Sequence, residues 1–411
     1  MSDPCSSPEL ITLDEAIHKI IDAIEPLTDA IRLPLRDCLN GTLAEDVQSI
    51  IQVPPFTNSA MDGYAIRFAD YQDENSVFTV IGTAFAGRPF NDSVAEGQCA
   101  RIMTGAVVPE GADTVIMQEH VSRTEQHIHI TVPPKNQANV RYAGEDVQVG
   151  DVVLNKGTLL RPSHIGLLAS LGIAEVTTIR KPRIAFFSTG DELIPLGQAL
   201  AEGQIYDSNR YAIHSLLTEL GAEILDMGVI PDERDAVESA FKSAMNCADI
   251  LLTSGGVSVG EADYVTDTLN KVGQVNFWRL AIKPGKPLAF GHLGDTLFFG
   301  LPGNPVSAMA TFYEIVLPGI RKRMGQPFSQ RQRFHVRLTD KLKKAPGRLE
   351  FQRGVLSHTV KGELVVGTTG KQGSHMMTSM AQANCFILLD QESSGAEVGE
   401  MVQVEPFYGM L

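Results

Sequence analysis

The chain opens with a helical pattern. Apolar side chains recur at Ile17, Ile20, Ile21 and Ile24, three and four residues apart, which places them on one helical face. Thr12 and Glu15 precede that run in T-x-x-E spacing, where each side chain can satisfy an amide left unpaired at the helix start. Pro26, which has no amide hydrogen, ends the helix. The period then changes. Between residues 33 and 180, short β-like runs such as 77–81 and 128–132 alternate with Gly/Pro turns, and only 162–171 carries helical spacing. This stretch predicts a mostly β region, read as an insertion.

A third pattern starts near Lys181. Residues 184–188, 224–230 and 250–253 are apolar strand-like runs. Between the first two, Ser208 can cap a helix carrying Ile213, Leu216, Leu217 and Leu220, closed by Gly221. Between the second and third, Asp235 opens a helix with Val237, Phe241, Ala244, Met245 and Ala248 on one face. Strands and helices alternating at these lengths predict a doubly wound parallel sheet. Asn304 and Pro305 form an N-cap and first-turn pair for a helix reaching about Met324, which Pro318 should kink or end early. After Gly325 no further helix is expected. Runs at 334–338, 349–356, 363–368 and 385–389, with turns at Pro346-Gly347 and Lys361-Gly362, predict a small all-β C-terminal domain.

Composition narrows the classes of function. The 411 residues carry 49 acids against 34 bases, a net charge of −15, which lacks the basic footprint that non-specific nucleic-acid binding needs. A local basic cluster can still hold a small anion on such a surface. No apolar run approaches the roughly 18 residues of a membrane span, and residues 1–10 lack the basic start and apolar stretch of a signal peptide. The five cysteines are far apart with no CxxC, so neither a zinc site nor a disulfide framework is expected, and a cytoplasmic setting fits.

In a parallel sheet the carboxyl ends of the strands share one rim, where ligands bind. Five unusual loops are expected there. They are S-T-G-D-E-L with Asp191 and Glu192, Pro231-Asp232, S-G-G-V-S-V-G-E-A-D-Y at 254–264, A-I-K-P-G-K-P with Lys283 and Lys286, and G-L-P-G-N-P-V-S at 300–307. Gly255 and Gly256 let backbone amides approach an anion, Ser258 extends that loop, and a helix start follows near Glu261. A plain tight turn would also use the glycine pair. Glu192, Asp232 and Asp263 occupy separate rim loops; brought close, they would repel unless a cation such as magnesium joined them, and otherwise they are solvated loop acids. Lys283 and Lys286 flank Pro284-Gly285 and can hold an oxyanion or a pyrophosphate, or be ordinary surface lysines. The same two readings apply to Arg353 in F-Q-R-G and Ser374 in Q-G-S-H. The β region adds N-S-A-M-D-G-Y-A-I with Asp62, R-I-M-T-G-A with Thr104, and R-Y-A-G-E-D with Arg141 and Asp146, though nothing local forces these onto the rim. Neither a P-loop nor a nucleophile elbow occurs.

Taken together and in order, these motifs resemble the molybdopterin molybdenumtransferase family, which includes MoeA and the gephyrin E-domain. The resemblance runs over nearly the whole chain, with 254–264 its strongest piece; Lys371 departs from it, standing where a histidine is familiar before Q-G-S-H. It implies an elongated, homodimeric protein of four domains. The divisions expected are an N-terminal helix at 1–27 packing on the α/β domain, an elongated linking domain from 28–48 and 149–180, a mostly β inserted domain at 49–148, an α/β molybdopterin-binding domain at 181–326, and a C-terminal β domain at 327–411. It also implies magnesium-dependent insertion of molybdate into adenylylated molybdopterin, with release of AMP and molybdenum cofactor. On matching positions, Asp62, Thr104, Glu192, Asp232 and Asp263 become the active-site set, with Glu192, Asp232 and Asp263 as metal ligands. Pro302 and Pro305 would shape the pterin-side wall, and Lys283, Lys286, Arg353 and Ser374 would contact oxyanions. Expected partners are a molybdopterin adenylyltransferase and downstream molybdenum cofactor enzymes.

Three alternatives stay open on the residues alone. An adenylyltransferase would share the sheet and rim, but the extra domains and the E-A-D-Y ending speak against it. A non-catalytic scaffold is disfavoured by the absence of a long linker and of a fused second enzyme domain. A molybdate or pterin carrier would release no AMP.

Overall fold

The apolar runs beyond residue 181 join the N-terminal segment in one seven-stranded sheet. A computed structural model describes residues 10–255 and 264–407, so Gly256, Ser258 and Asp263 lie outside the described residues. The strands are β1 (Leu10–Ile11), β2 (Arg183–Thr189), β3 (Glu223–Ile230), β4 (Ile250–Ser254), β5 (Gln274–Leu280), β6 (Pro287–Leu293) and β7 (Thr296–Leu301), in the spatial order β1-β5-β6-β7-β4-β2-β3. Ile184 and Phe186 of β2 belong to the core on one face, and Ala185 and Phe187 to the core on the other. A strand buried on both faces reads as a continuous apolar run because helices cover both sides. One cover includes α1 (Leu13–Ala23) and α2 (Ser208–Glu219), which bury Ala16, Ile20, Ile213 and Leu217; the other is α3 (Arg234–Cys247) and α4 (Tyr264–Val272), which bury Phe241, Ala244 and Leu269. This is the doubly wound architecture expected.

The sheet departs from the expected parallel arrangement in one strand. β6 runs antiparallel to both β5 and β7, and the other pairings are parallel. The cause is connection length. Only residues 281–286 separate β5 from β6, and only Gly294 and Asp295 separate β6 from β7. A parallel crossover needs about a dozen residues or more. The remaining six strands point the same way, so the loops that follow β2, β3, β4, β5 and β7 still share one carboxyl edge.

The helix starts show where side-chain chemistry decides. Thr12 and Glu15 form the expected capping box. At α2, the cap is Asp207 rather than Ser208: its carboxylate accepts from the Arg210 amide at 3.1 Å, and Ser208 is the first helical residue. Pro318 does not end its helix. The chain continues from α5 (Pro305–Thr311) through a π-helical turn at Phe312–Val316 into α6 (Leu317–Arg323). The wider turn leaves room for a ring that would clash with a carbonyl one α-turn back.

The C-terminal segment closes five strands, Phe334–Leu338, Leu349–His358, Leu364–Thr368, Cys385–Leu389 and Met401–Pro406, into a small barrel. The two-residue strand Ile282–Lys283 adds in parallel to one end of Leu349–His358. Helices do not stop at Gly325 as expected. A short helix, α7 (Met377–Gln382), buries Met380 in the core beneath the first sheet cover. Six residues are too few to show helical periodicity.

All of this belongs to one compact unit, made of Met1–Ile31, Asn40–Ala44 and Thr178–Leu411; Arg32–Leu39 and Glu45–Thr177 form a second. The second unit holds a six-stranded sheet in the order Val121–Arg123, His127–Ile130, Val77–Ala84, Gln98–Ile102, Gly63–Ile66, Thr114–Met117. Tyr64, Ile66, Phe78 and Ile128 fill one of its faces, and Ala65, Ile102 and Val115 the other. Its described helix is Pro162–Ser170.

Candidate functional site

A cavity of about 1420 Å³ opens along the carboxyl edge of the sheet and is walled on the far side by the C-terminal barrel. Three sheet loops shape it through backbone constraints. Gly255 follows β4 with φ +93°, and a Cβ there would lie 2.7 Å from the carbonyl oxygen of Thr189. Gly285 turns the loop between β5 and β6 with φ +102°, where a Cβ would meet the Thr311 hydroxyl at 2.8 Å. Pro302 and Pro305 bracket the loop that follows β7.

The cavity's charge is opposite to that of the protein. Lys283, Lys286, Lys341, Lys343, Arg348 and Arg353 line it, against the carboxylates Glu192, Asp207 and Glu350. On a chain of net charge −15, a cation-rich cavity focuses anions. The cations are not equivalent. Lys283 lies 3.2 Å from both carboxylate oxygens of Glu350, which is only 4% exposed and also accepts from Gln352 at 3.1 Å. The charge of Lys283 is therefore largely committed. Lys341 pairs with Glu397. Lys286 has no ion partner among the described residues.

Arg353 is the most unusual member. It is 1% exposed, and its guanidinium donates to the Ser379 hydroxyl and the Gly373 carbonyl, both at 3.1 Å, with no carboxylate at ion-pair distance among the described residues. Burial, only partly countered by Glu350, pushes it down to about 10, so it stays charged at neutral pH. A buried cation without a counter-ion is costly. It fits a wall that receives an anion. Gln372 holds its main chain, accepting from the Arg353 amide at 2.7 Å and donating to its carbonyl at 3.1 Å. Ser374, on the same loop, accepts from the Val306 amide through its carbonyl at 3.1 Å, joining the barrel loop to the start of α5.

Acids gather at one end of the rim. The Asp232 amide lies 3.5 Å from a carboxylate oxygen of Asp191. Partial burial, then the charge of Asp191 and then that of Glu192, push the Asp232 carboxyl above the usual range. Asp232 does not line the cavity, whereas Glu192 does. Such mutual repulsion suits a bound cation. Among the described residues no three His, Cys, Asp or Glu side chains close on a metal position by themselves.

Of the residues singled out in the sequence, the cavity gathers Glu192, Gly255, Lys283, Lys286, Pro302, Pro305, Arg353 and Ser374. Asp62, Thr104, Arg141 and Asp146 belong to the second unit. There Asp62 accepts from both the amide and the hydroxyl of Thr104, at 2.7 and 2.8 Å, and these bonds hold its carboxyl below the usual range. Arg141 and Asp146 are exposed. The sequence reading missed Glu350, Gln352, Asn209 and Arg348. Glu350 and Gln352 alternate with Phe351 on one strand, and two polar residues at buried positions of an apolar strand were the available signal.

Comparison with known proteins agrees along the full length. Residues 11–172 match the family model described as MoeA N-terminal region (domain I and II), 185–322 that of a probable molybdopterin binding domain, and 335–407 that of MoeA C-terminal region (domain IV). A molybdopterin molybdenumtransferase from Haemophilus influenzae is 48% identical over 404 residues, spanning 98% of this chain and 100% of that protein. One from Bacillus subtilis is 35% identical, spanning 96% and 93%. The crystal structure of a molybdopterin biosynthesis moeA protein from Pyrococcus horikoshii superposes with a TM-score of 0.84 at 30% identity, covering 97% of this chain and 100% of that one.

Proposed function

We propose a reaction for this site from one settled premise: the chain belongs to the MoeA family of molybdopterin molybdenumtransferases. It is a transferase of molybdenum cofactor biosynthesis. The finer reading is ours. The substrate is adenylylated molybdopterin, the metal source is molybdate, and breaking the pyrophosphate link releases AMP as the cofactor forms. The observation that carries it is the buried Arg353, with no carboxylate at ion-pair distance among the described residues, in a cation-rich cavity of an acidic protein. Pyrophosphate and molybdate are both anionic. Bringing them together requires fixed positive charge and oriented donors.

In this reading Lys286, Arg348 and Arg353 bind the anionic groups, and Lys283, held by Glu350, orients the loop that carries Lys286. Gly255 and Gly256, with Ser258, offer backbone and hydroxyl donors to phosphate oxygens. Pro302 and Pro305 form the pterin-side wall, and Ser374 contacts the oxyanion from the barrel side. Glu192, Asp232 and Asp263 would hold magnesium, whose preference for oxygen ligands suits them. The raised Asp232 carboxyl supports this fit, since a cation would relieve the repulsion that raises it. When bound, magnesium neutralises charge on the phosphate oxygens.

The protein works as a homodimer in this account. Asp62 and Thr104, with Arg141 and Asp146, act on the cavity of the partner subunit. A molybdopterin adenylyltransferase supplies the substrate, downstream molybdenum cofactor enzymes take the product, and the setting is the cytoplasm. No described helix is long and apolar enough to cross a membrane. The test is to incubate the purified protein with adenylylated molybdopterin, molybdate and magnesium, and to assay reconstitution of an apo-molybdoenzyme. Reconstitution that needs all three components and the protein supports the reading. Equal reconstitution without the protein contradicts it.

A further inference from the structure

We infer that Asn209 is a positioning residue, the clamp that fixes two of the ligand-facing rim loops against the start of α2. The inference rests on the proposed reaction for its catalytic consequence, but the clamp itself is geometric. Asn209 is 8% exposed and lines the cavity. Its side-chain Nδ2 donates to the Ser254 hydroxyl at 2.7 Å and to the Gly303 carbonyl at 2.7 Å. Ser254 ends β4, immediately before Gly255. Gly303 lies between Pro302 and the N-cap of α5. One amide group thus ties together three segments that are 45 and 94 residues apart in the chain.

The β4–β7 ladder holds the chain up to the Ser254–Leu301 pair, and the loops part just beyond it. The Gly255 amide donates to the Leu301 carbonyl at 3.3 Å, which is long for such a bond. Gly255 and Gly303 bring no side chains of their own to hold position. With both hydrogens of its amide used, the Asn209 side chain is held in one orientation. Serine or threonine at this position would have one proton and a shorter reach, so it could not donate to both loops. The loops at stake are those whose backbone would face the phosphates and the pterin, so a loss of register there reaches the reaction directly. Misplacement by about 1 Å costs on the order of 100-fold in rate.

The experiment uses the full-length protein with Asn209→Ala and Asn209→Asp. Hydrogen exchange is measured at peptides covering 252–255 and 301–304, alongside thermal unfolding and the kcat and KM of AMP release. In Asn209→Ala, exchange at both peptides rises together while peptides from the second unit stay as in the wild type. The melting temperature moves by only a few degrees, and kcat falls by roughly 10- to 100-fold at saturating substrate. Asn209→Asp keeps the size but places lone pairs against the Gly303 carbonyl. Its activity relative to wild type is lowest at neutral pH and recovers in part as the pH falls, because a protonated carboxyl has one proton for the Gly303 carbonyl while its other oxygen accepts from the Ser254 hydroxyl.

Unchanged exchange at both peptides, or wild-type kcat in both variants, overturns the inference. So does a loss of activity that merely follows the folded fraction. If the wild type itself releases no AMP while both peptides loosen in Asn209→Ala, the clamp stands and the proposed reaction fails. The two failures are thereby separated.

Discussion

Replacing Arg353 with methionine should leave the stability of the ligand-free protein nearly unchanged while weakening anion binding. Two opposing costs set this expectation. Burial that pushes the guanidinium down to about 10 disfavours its charged form by about 3 kcal/mol. Against that stand its two hydrogen bonds to Ser379 and Gly373, each with a charged donor and worth about 1.5 kcal/mol at the lower end. Ser379 keeps a second bond in the variant, from its hydroxyl to the Met376 carbonyl at 2.7 Å. Methionine fills most of the space with an apolar chain. The sum lies within about 2 kcal/mol of zero, a melting shift of several degrees at most. Binding responds differently, because the removed group is a charged donor facing an anion. Loss of one such interaction, about 1.5–3 kcal/mol, weakens binding roughly 10- to 150-fold. Thermal unfolding of the ligand-free protein and calorimetric titration with adenylylated molybdopterin supply the two numbers. A collapse in melting temperature with unchanged affinity per folded molecule would refute the reasoning and make Arg353 a structural residue.

The lysines should separate. Lys286→Ala is expected to weaken substrate binding several-fold more than Lys283→Ala, because Glu350 already neutralises Lys283; titration of both variants checks this, and equal losses would contradict it. In mixed dimers, an Asp62→Ala chain and an Asp263→Ala chain should together restore part of the activity that each homodimer lacks, and no rescue in verified heterodimers counts against a shared site. Asp249 tests acid stability. Burial raises its carboxyl, but the bonds from Arg180 at 2.6 and 2.7 Å and from the Arg183 amide outweigh it and hold the carboxyl below the usual range. Its contribution is thus present above the ordinary aspartate range, near pH 4, and is lost as the pH falls through the depressed value. Asp249→Asn should cost about 1.5–3 kcal/mol at neutral pH and flatten the acid side of the stability profile, measured by denaturant titration at a series of pH values.

Where local chemistry decides, the sequence was legible. The Thr12–Glu15 box, the strand starts and the Gly347 and Gly362 turns, with φ +109° and +81°, stand where the residue types place them. The rim loops were also legible, because strand polarity puts them on one edge whatever the details of packing. Two of the misses come from competition between neighbours. Asp207 and Ser208 can both cap, and only the reach of the Asp207 carboxylate to the Arg210 amide chooses between them. Pro318 was read by its intrinsic effect, and the π-helical turn that accommodates it depends on the packing of Phe312 and Ile315 into the core. The antiparallel β6 could have been read from the two short connections around it. Among site residues, Asn209 carried no signal and Glu350 only that of a polar residue on a buried strand, because their role is to hold other groups. Such residues carry no motif, and their partners lie 45 to 94 residues away.

The central claim is that this cavity releases AMP from an adenylylated pterin with the help of a divalent cation held by the rim acids. The direct measurement is single-turnover AMP release by the wild type and by Asp263→Asn, with molybdate, in the presence and absence of a magnesium chelator. The account predicts prompt release by the wild type, release abolished by the chelator and restored by added magnesium, and slow release by a variant that still binds substrate. Release by the wild type that ignores the chelator, or normal release by Asp263→Asn, would contradict it.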